Sequence, residues 1–268
     1  MTTAASDTHG YVFSDSSRRG EQYRCLTAAY DPMTTERLAA TGVSDGWHCL
    51  ELGAGNGSVA RWLADRVAPT GSVLATDIEL GRIGDHPNLT AVVHDARIEP
   101  LPENHFDLIV ARLVLQQLAE RDAIMAKLIR ALKPGGWLQI EEFDTAYEPL
   151  LLAADERAAQ VYQKFLLAKT KLMRSRGGDP EWGRRVAAAM RAAGLVEIDP
   201  QPYIQLRYPQ SAALQLQLNH TYQLRDGLVS VGMTDAELAE VRAVMREPSF
   251  RASSSVMYSV QGRRERQL

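Results

Sequence analysis

Residues 50–77, LELGAGNGSVARWLADRVAPTGSVLATD, hold the residue types in this chain best suited to chemistry. Glycines at 53, 55 and 57 strip a short stretch of side chains, so its amides and carbonyls can come within hydrogen-bonding reach of a ligand. The acid Glu51 precedes the first glycine by two positions, and Asp77 follows Gly57 by 20. Nucleotide-binding α/β units place an acid at that distance to hold ribose hydroxyls. The chemistry implied is capture of a nucleoside-bearing cofactor, its polar end on the glycine turn and its ribose on Asp77. Positioning these groups requires a buried strand before the turn, a helix after Gly57, and a second strand that ends on Asp77. The glycine spacing separates two cofactor types. A dinucleotide fingerprint, G-x-G-x-x-G, needs glycine three positions after Gly55, and that position is Ser58.

The spacing G-x-G-x-G behind an acid resembles the S-adenosylmethionine loop of class I methyltransferases. Further blocks extend the resemblance over residues 45–145. Asp95-Ala96 follows the apolar run Leu89–Val93, a third strand; residues 100–118, PLPENHFDLIVARLVLQQL, give a loop and a fourth strand, Phe106–Ala111. Residues 131–144, ALKPGGWLQIEEFD, end a helix at Lys133-Pro134-Gly135-Gly136 and give a fifth strand, Trp137–Glu142. The segments YVFSDSSRRGEQYR and GWHCLELGAGNGSVARWLADR look closest to small-molecule methyltransferases of actinobacterial type. The resemblance implies a Rossmann-like α/β fold: a seven-stranded, mostly parallel sheet of order 3-2-1-4-5-7-6 flanked by helices, the last strand antiparallel. It implies S-adenosyl-L-methionine as cofactor. Glu51, Gly53, Gly55 and Asn56 would meet the methionine end, Asp77 the ribose, and Ile78 the adenine face. Asp95 with Ala96 would take the adenine amine, and Arg112 would line the cofactor at the end of the fourth strand.

The reaction asks little of the protein, because the cofactor already carries an electrophilic methyl on positive sulfur. Orienting a nucleophile in line with it and excluding water can supply roughly 7–11 kcal/mol of the barrier. A base is needed only for an acceptor protonated at neutral pH. Candidates for that role are His220, in LQLNHTYQL, and Glu142, at the carboxyl end of the fifth strand. Tyr11, Phe13, Tyr23, Gln116, Asp144 and Tyr222 are candidates for contact with the acceptor. Each has a plainer structural reading: lid anchoring for the aromatics, loop or helix capping for the carboxylates. An Asn/Asp-Pro-Pro-aromatic block, usual in DNA and glutamine methylation, is absent where Ala111-Arg112-Leu113-Val114 stand, and no acid occupies 111–118 to complete a metal-dependent catechol site. No metal is expected. The alternative from another class is a protein that binds S-adenosylmethionine without methyl transfer, as a scaffold or a sulfonium-assisted cyclase.

Composition agrees with a globular enzyme: 45% hydrophobic and 24% charged residues over 268, enough for one large α/β domain with an insertion, or one domain plus a cap. The formal charge of −3 gives no reason to expect nucleic acid as a partner. Two cysteines, Cys25 and Cys49, make neither a disulfide framework nor a zinc site. No run reaches 18 apolar residues and MTTAASDTHG lacks an apolar signal core, so a cytoplasmic protein with no membrane contact is expected. A homodimer stays open. The expected organisation is an N-terminal helical segment over 1–46 and a methyltransferase domain over 47–268. The latter divides into a cofactor half (47–144), a helical lid inserted after strand five (145–195) and a C-terminal sheet half (196–268). Within it, Leu150–Met173 and Pro180–Ala193 read as helices, Val196–Tyr208 as a strand broken by Pro200 and Pro202, and Ser253–Gln261 as the last strand. Asp31-Pro32 reads as a helix start, with Thr34 its cap.

Overall fold

The computed structural model describes residues 18–81 and 83–266. Five strands in order, β1 (His48–Leu52), β2 (Ser72–Asp77), β3 (Leu89–Val93), β4 (Phe106–Arg112) and β5 (Leu132–Asp144), lie parallel. With β7 (Leu195–Tyr203) and β10 (Val256–Arg264) they form a seven-stranded sheet of order β3-β2-β1-β4-β5-β10-β7. β10 runs antiparallel to both its neighbours. This is the order and the single reversal that the family resemblance implied.

The sheet's core follows from the alternation of side chains along each strand. Cys49 on β1 and Leu108 and Val110 on β4 face one side, packing on Val59, Ala60, Leu63 and Val67 of helix α2 (Ser58–Val67). The intervening Leu50, Leu52, Ile109 and Ala111 face the other. There they meet Ile124, Met125 and Leu128 of α3 (Arg121–Ala131) and Val186 and Met190 of α5 (Val186–Ala192). Both faces are covered, as parallel strands require.

Helix α1 (Arg19–Ala40) corrects the expected start at Asp31-Pro32, since Pro32 lies inside it. Tertiary anchoring outweighs the proline. Asp31 pairs with Arg112 at 2.8 Å, and the buried Thr34 hydroxyl, no cap, donates to Glu141 Oε2 at 2.5 Å. Glu141 is itself fully buried, and Gln139 and Ser259 also donate to its Oε1, at 2.7 and 2.9 Å. Pro200 and Pro202 do not break β7, because β7 is an edge strand and tolerates missing donors.

The remaining elements form a cap. The expected helix from Leu150 begins later: Leu150–Leu152 is a strand, β6, and α4 spans Glu156–Ser175, with the Asp155 side chain accepting from Ala158 N at 2.8 Å. A short apolar run reads equally as helix or strand, and pairing with a distant partner settles it here. The second expected helix shortens to α5. Between β7 and β10 come β8 (Leu206–Arg207), α6 (Ala212–Gln223), α7 (Arg225–Ser230), α8 (Asp235–Arg246) and β9 (Arg251–Ser253). The expected last strand thus divides between β9 and β10. Strands β6, β9 and β8 pair antiparallel in that order. Tyr162 and Phe165 of α4 are buried with Leu214 of α6, Leu228 of α7, Val241 of α8 and Phe250. The cap is therefore one apolar core made from two insertions, one after β5 and one after β7, rather than residues 145–195 alone. Among the described residues no helix is long and apolar enough to cross a membrane.

Candidate functional site

A cavity of about 480 Å³ lies where the carboxyl ends of β1, β2 and β4 meet α1, α4 and α6. Open parallel sheets bind ligands at this place, and the volume falls in the usual range for small-molecule sites. Glu51, Gly53, Gly55, Asn56, Asp77, Ile78, Asp95, Ala96 and Arg112, from four separate segments, all line it.

The glycine loop is set by its backbone. Gly53 and Gly55 have φ of +74° and +54°, a region that side chains disfavour. Space is short as well: a Cβ on Gly53 would sit 2.3 Å from Val114 Cγ2, and one on Gly55 2.8 Å from the Tyr23 ring. The amides of Gly53 and Ala54 donate to Thr76 O at 2.7 and 2.9 Å, tying the turn to the end of β2. Asp77 completes the tie, accepting from Gly55 N at 2.9 Å and Glu79 N at 3.1 Å. Beyond it, Ile78 is 44% exposed and Val93 65%. Both line the cavity, as an apolar platform for a flat ring would. The Asp95 carboxylate accepts from Arg97 N at 2.9 Å and holds the Arg97 guanidinium at 2.7 Å, which keeps its pKa below the ordinary range.

Glu51 is buried against the loop, and burial pushes its carboxyl up to about 8. Its Oε2 has no hydrogen-bond partner among the described residues. An unsatisfied buried carboxylate beside a side-chain-free turn fits the amino end of a methionine moiety. The Arg112 side chain turns to α1, onto Asp31 and Thr34.

The acceptor candidates separate. Tyr23, Gln116 and His220 line the cavity. Tyr11 and Phe13 lie outside the described residues. Tyr222 does not reach the cavity: Arg18 and Arg242 lie over its ring at 3.9 and 4.3 Å, and Arg246 donates to its hydroxyl at 3.1 Å. Asp144 is taken by Arg184 and by Ala146 N at 3.0 Å, anchoring the segment after β5. Glu142 is likewise away from the cavity. Its Oε1 accepts from the amides of Val114, Leu115 and Gln116 at 3.2, 2.7 and 3.3 Å, capping the turn that follows β4. These carboxylates hold loops; the β-strand end placed them near the site without turning them into it.

Glu142 carries a testable consequence. Full burial outweighs its three amide donors and pushes the carboxyl up to about 8. A folded pKa above the unfolded one means stability that is complete below about 4.5 and lost as pH rises through the folded value. Glu142→Gln keeps an oxygen for the amides and removes that titration. In thermal unfolding at pH 5, 6.5 and 8, the variant should gain on the wild type steadily with pH; a constant difference between the two would refute this.

His220 is buried, and burial followed by the charges of Lys169 and Arg207 pushes its imidazole well below the ordinary value, so it is neutral at pH 7. The neighbours responsible were not anticipated. Glu148, Lys169, Arg207, Gln217 and Ser255 line the same cavity from five chain segments, all on the cap side. One sequence signal pointed to Lys169. It falls between Phe165 and Leu172 on the buried stripe of α4, where a lysine has no structural reason to be.

A glycine loop and an acid at ribose distance stand at the ends of parallel strands under a helical cap, the place where doubly wound sheets bind nucleosides. Residues 50–140 match the family model of the methyltransferase domain. The ubiquinone/menaquinone biosynthesis C-methyltransferase UbiE of Cupriavidus necator is 34% identical over 133 residues, covering 47% of this chain and 53% of that protein. Its counterpart in Ralstonia pickettii is 32% identical over 162 residues, covering 58% and 64%. The chain spans about half the length of most of the curated relatives it matches. Phosphoethanolamine N-methyltransferase 2 of Haemonchus contortus, solved with phosphomonomethylethanolamine and S-adenosylhomocysteine, superposes with TM-score 0.57 at 14% identity, over 94% of this chain and 57% of that one. A putative sarcosine dimethylglycine methyltransferase from Galdieria sulphuraria gives 0.52 at 17%, over 89% and 86%. At these identities the structures speak for the fold. The sequence matches show that residues 50–140 are similar to a methyltransferase domain.

Proposed function

We propose that this chain transfers the methyl group of S-adenosylmethionine to a small organic acceptor, a secondary metabolite, by direct in-line displacement. The observation that carries the reading is the enclosure of the glycine loop and the cap residues by one cavity of about 480 Å³. A space of that size under a cap suits a cofactor with a small acceptor and not a polymer strand.

The cofactor supplies the electrophilic methyl. The chain's own residues do the rest. Gly53, Gly55, Asn56 and Glu51 hold the methionine end, Asp77 the ribose, Ile78 the adenine face, and Asp95 with Ala96 the adenine edge. Leu166, Leu172, Met173 and Leu216 enclose the acceptor and exclude water. His220, a neutral imidazole, accepts a hydrogen bond from an acceptor hydroxyl. The names of the UbiE relatives favour a second reading, transfer to carbon, in which no proton need leave before the methyl arrives.

Calorimetric titration with S-adenosylmethionine, S-adenosylhomocysteine and NAD tests the cofactor side. Micromolar affinity for the first two and none for NAD is expected; binding of NAD alone would overturn the assignment of the loop. Binding without methyl loss across a panel of small acceptors would favour the non-catalytic reading.

A further inference from the structure

On the cap side of the cavity, a buried arginine and a half-buried lysine share one carboxylate. Lys169 of α4 and Arg207 of β8 both face Glu148, at 3.9 and 3.6 Å, neither within hydrogen-bonding distance. The Glu148 Oε1 is taken up by the Ser255 hydroxyl. Arg207 is only 4% exposed. Its Nη1 donates to Ser253 O at 3.3 Å, while its Nε has no hydrogen-bond partner among the described residues. Lys169 Nζ donates to Gln217 Oε1 at 2.7 Å, which leaves the Gln217 amide Nε2 without a well-formed bond, its neighbour being the Tyr162 hydroxyl, which also stands beside Arg207. Two positive charges against one negative leave a surplus of one. A buried charge without a counterion, beside donors without well-formed bonds, is costly.

We propose that Lys169, Arg207 and Gln217 form a subsite for a carboxylate on the acceptor. The acceptor is then a small organic acid, its anionic group held by the cap and its apolar frame lying along Leu166, Leu172, Met173 and Leu216. A carboxylate offers acceptor lone pairs to Arg207 Nε and Gln217 Nε2, and its charge cancels the surplus. His220 reports the same field: both cations oppose its protonation, so it adds no charge of its own and supplies no anion. Lys169 is pushed down to about 8 by burial, against the pull of Glu148, and remains mostly charged at neutral pH. The word acceptor rests on the methyltransferase reading above; the charge surplus does not.

The test uses the full chain saturated with S-adenosylhomocysteine, titrated calorimetrically at pH 7 with benzoate, phenylacetate and hexanoate and with the corresponding amides. At least one carboxylate should bind tenfold or more tightly than its amide. Lys169→Met and Gln217→Leu, the second of which keeps every charge, should each weaken that carboxylate tenfold while S-adenosylhomocysteine affinity stays within about twofold. Circular dichroism and thermal unfolding confirm that each variant is folded. Three results would overturn the subsite: no carboxylate preference in the wild type; unchanged carboxylate affinity in Gln217→Leu; or a parallel loss of S-adenosylhomocysteine affinity, which would assign the cations to the cofactor's own carboxylate. Failure of S-adenosylhomocysteine to bind the wild type would instead overturn the methyltransferase reading.

Discussion

Gly55→Val should abolish S-adenosylmethionine binding, with affinity lowered at least about a hundredfold. Two effects add. The backbone at +54° is a conformation that β-branched residues resist, costing about 1–3 kcal/mol to hold. A Cβ there meets the Tyr23 ring at 2.8 Å, and Tyr23 belongs to α1, fixed to the sheet through Asp31, Arg112 and Thr34. The loop cannot move away from Tyr23 without breaking the bond from Gly55 N to Asp77. The side chain therefore either closes the cradle or pulls the Asp77 carboxylate out of register. The two apolar cores flanking the sheet are built from other residues, so the variant should fold. Calorimetry beside thermal unfolding checks both halves, and wild-type affinity in a folded variant would remove the loop from the binding site.

Glu148→Ala should be the most destabilising substitution in the cap. The carboxylate is 8% exposed and stands between Lys169 and Arg207 as their shared counterion. Removing one partner of a buried ionic group leaves uncompensated charge and costs about 3–5 kcal/mol. At roughly 2–4 °C per kcal/mol for a chain of this size, the melting temperature should fall by about 10 °C. Arg207→Leu in the same background should recover part of the loss, because it removes one of the stranded cations. A fall of less than about 2 °C in Glu148→Ala would show that solvent reaches and screens the cluster.

The cofactor half was legible because its groups are local. Gly53, Gly55 and Asp77 lie within 25 residues, on a strand, turn and helix whose chain order dictates their spatial order. The cap half was not, because its charged cluster joins positions 148, 169, 207, 217 and 255, and no local pattern links them. Glu142 and Asp144 were misread for a related reason. A strand end fixes where a carboxylate starts, but the turns it can cap decide which way it points. Thr34 shows the same limit: the Asp-Pro before it is a sound helix-start signal, overruled by a buried acid on a strand more than a hundred residues away. Leu150–Leu152 took its conformation from β9, a partner the sequence could not nominate.

The position of β10 bears on how this chain is made. β10 is synthesised after the other six strands of its sheet, yet it is interior to that sheet, between β5 and β7. Until residues 256–264 emerge, β5 has an unpaired edge, β7 has no sheet to join, and β9, the middle strand of the cap's small sheet, has only just been synthesised. Bare strand edges invite pairing with other chains. A chain lacking residues 256–264 would therefore leave β5 and β7 unjoined and sticky, and those nine residues tie the two strands into one sheet.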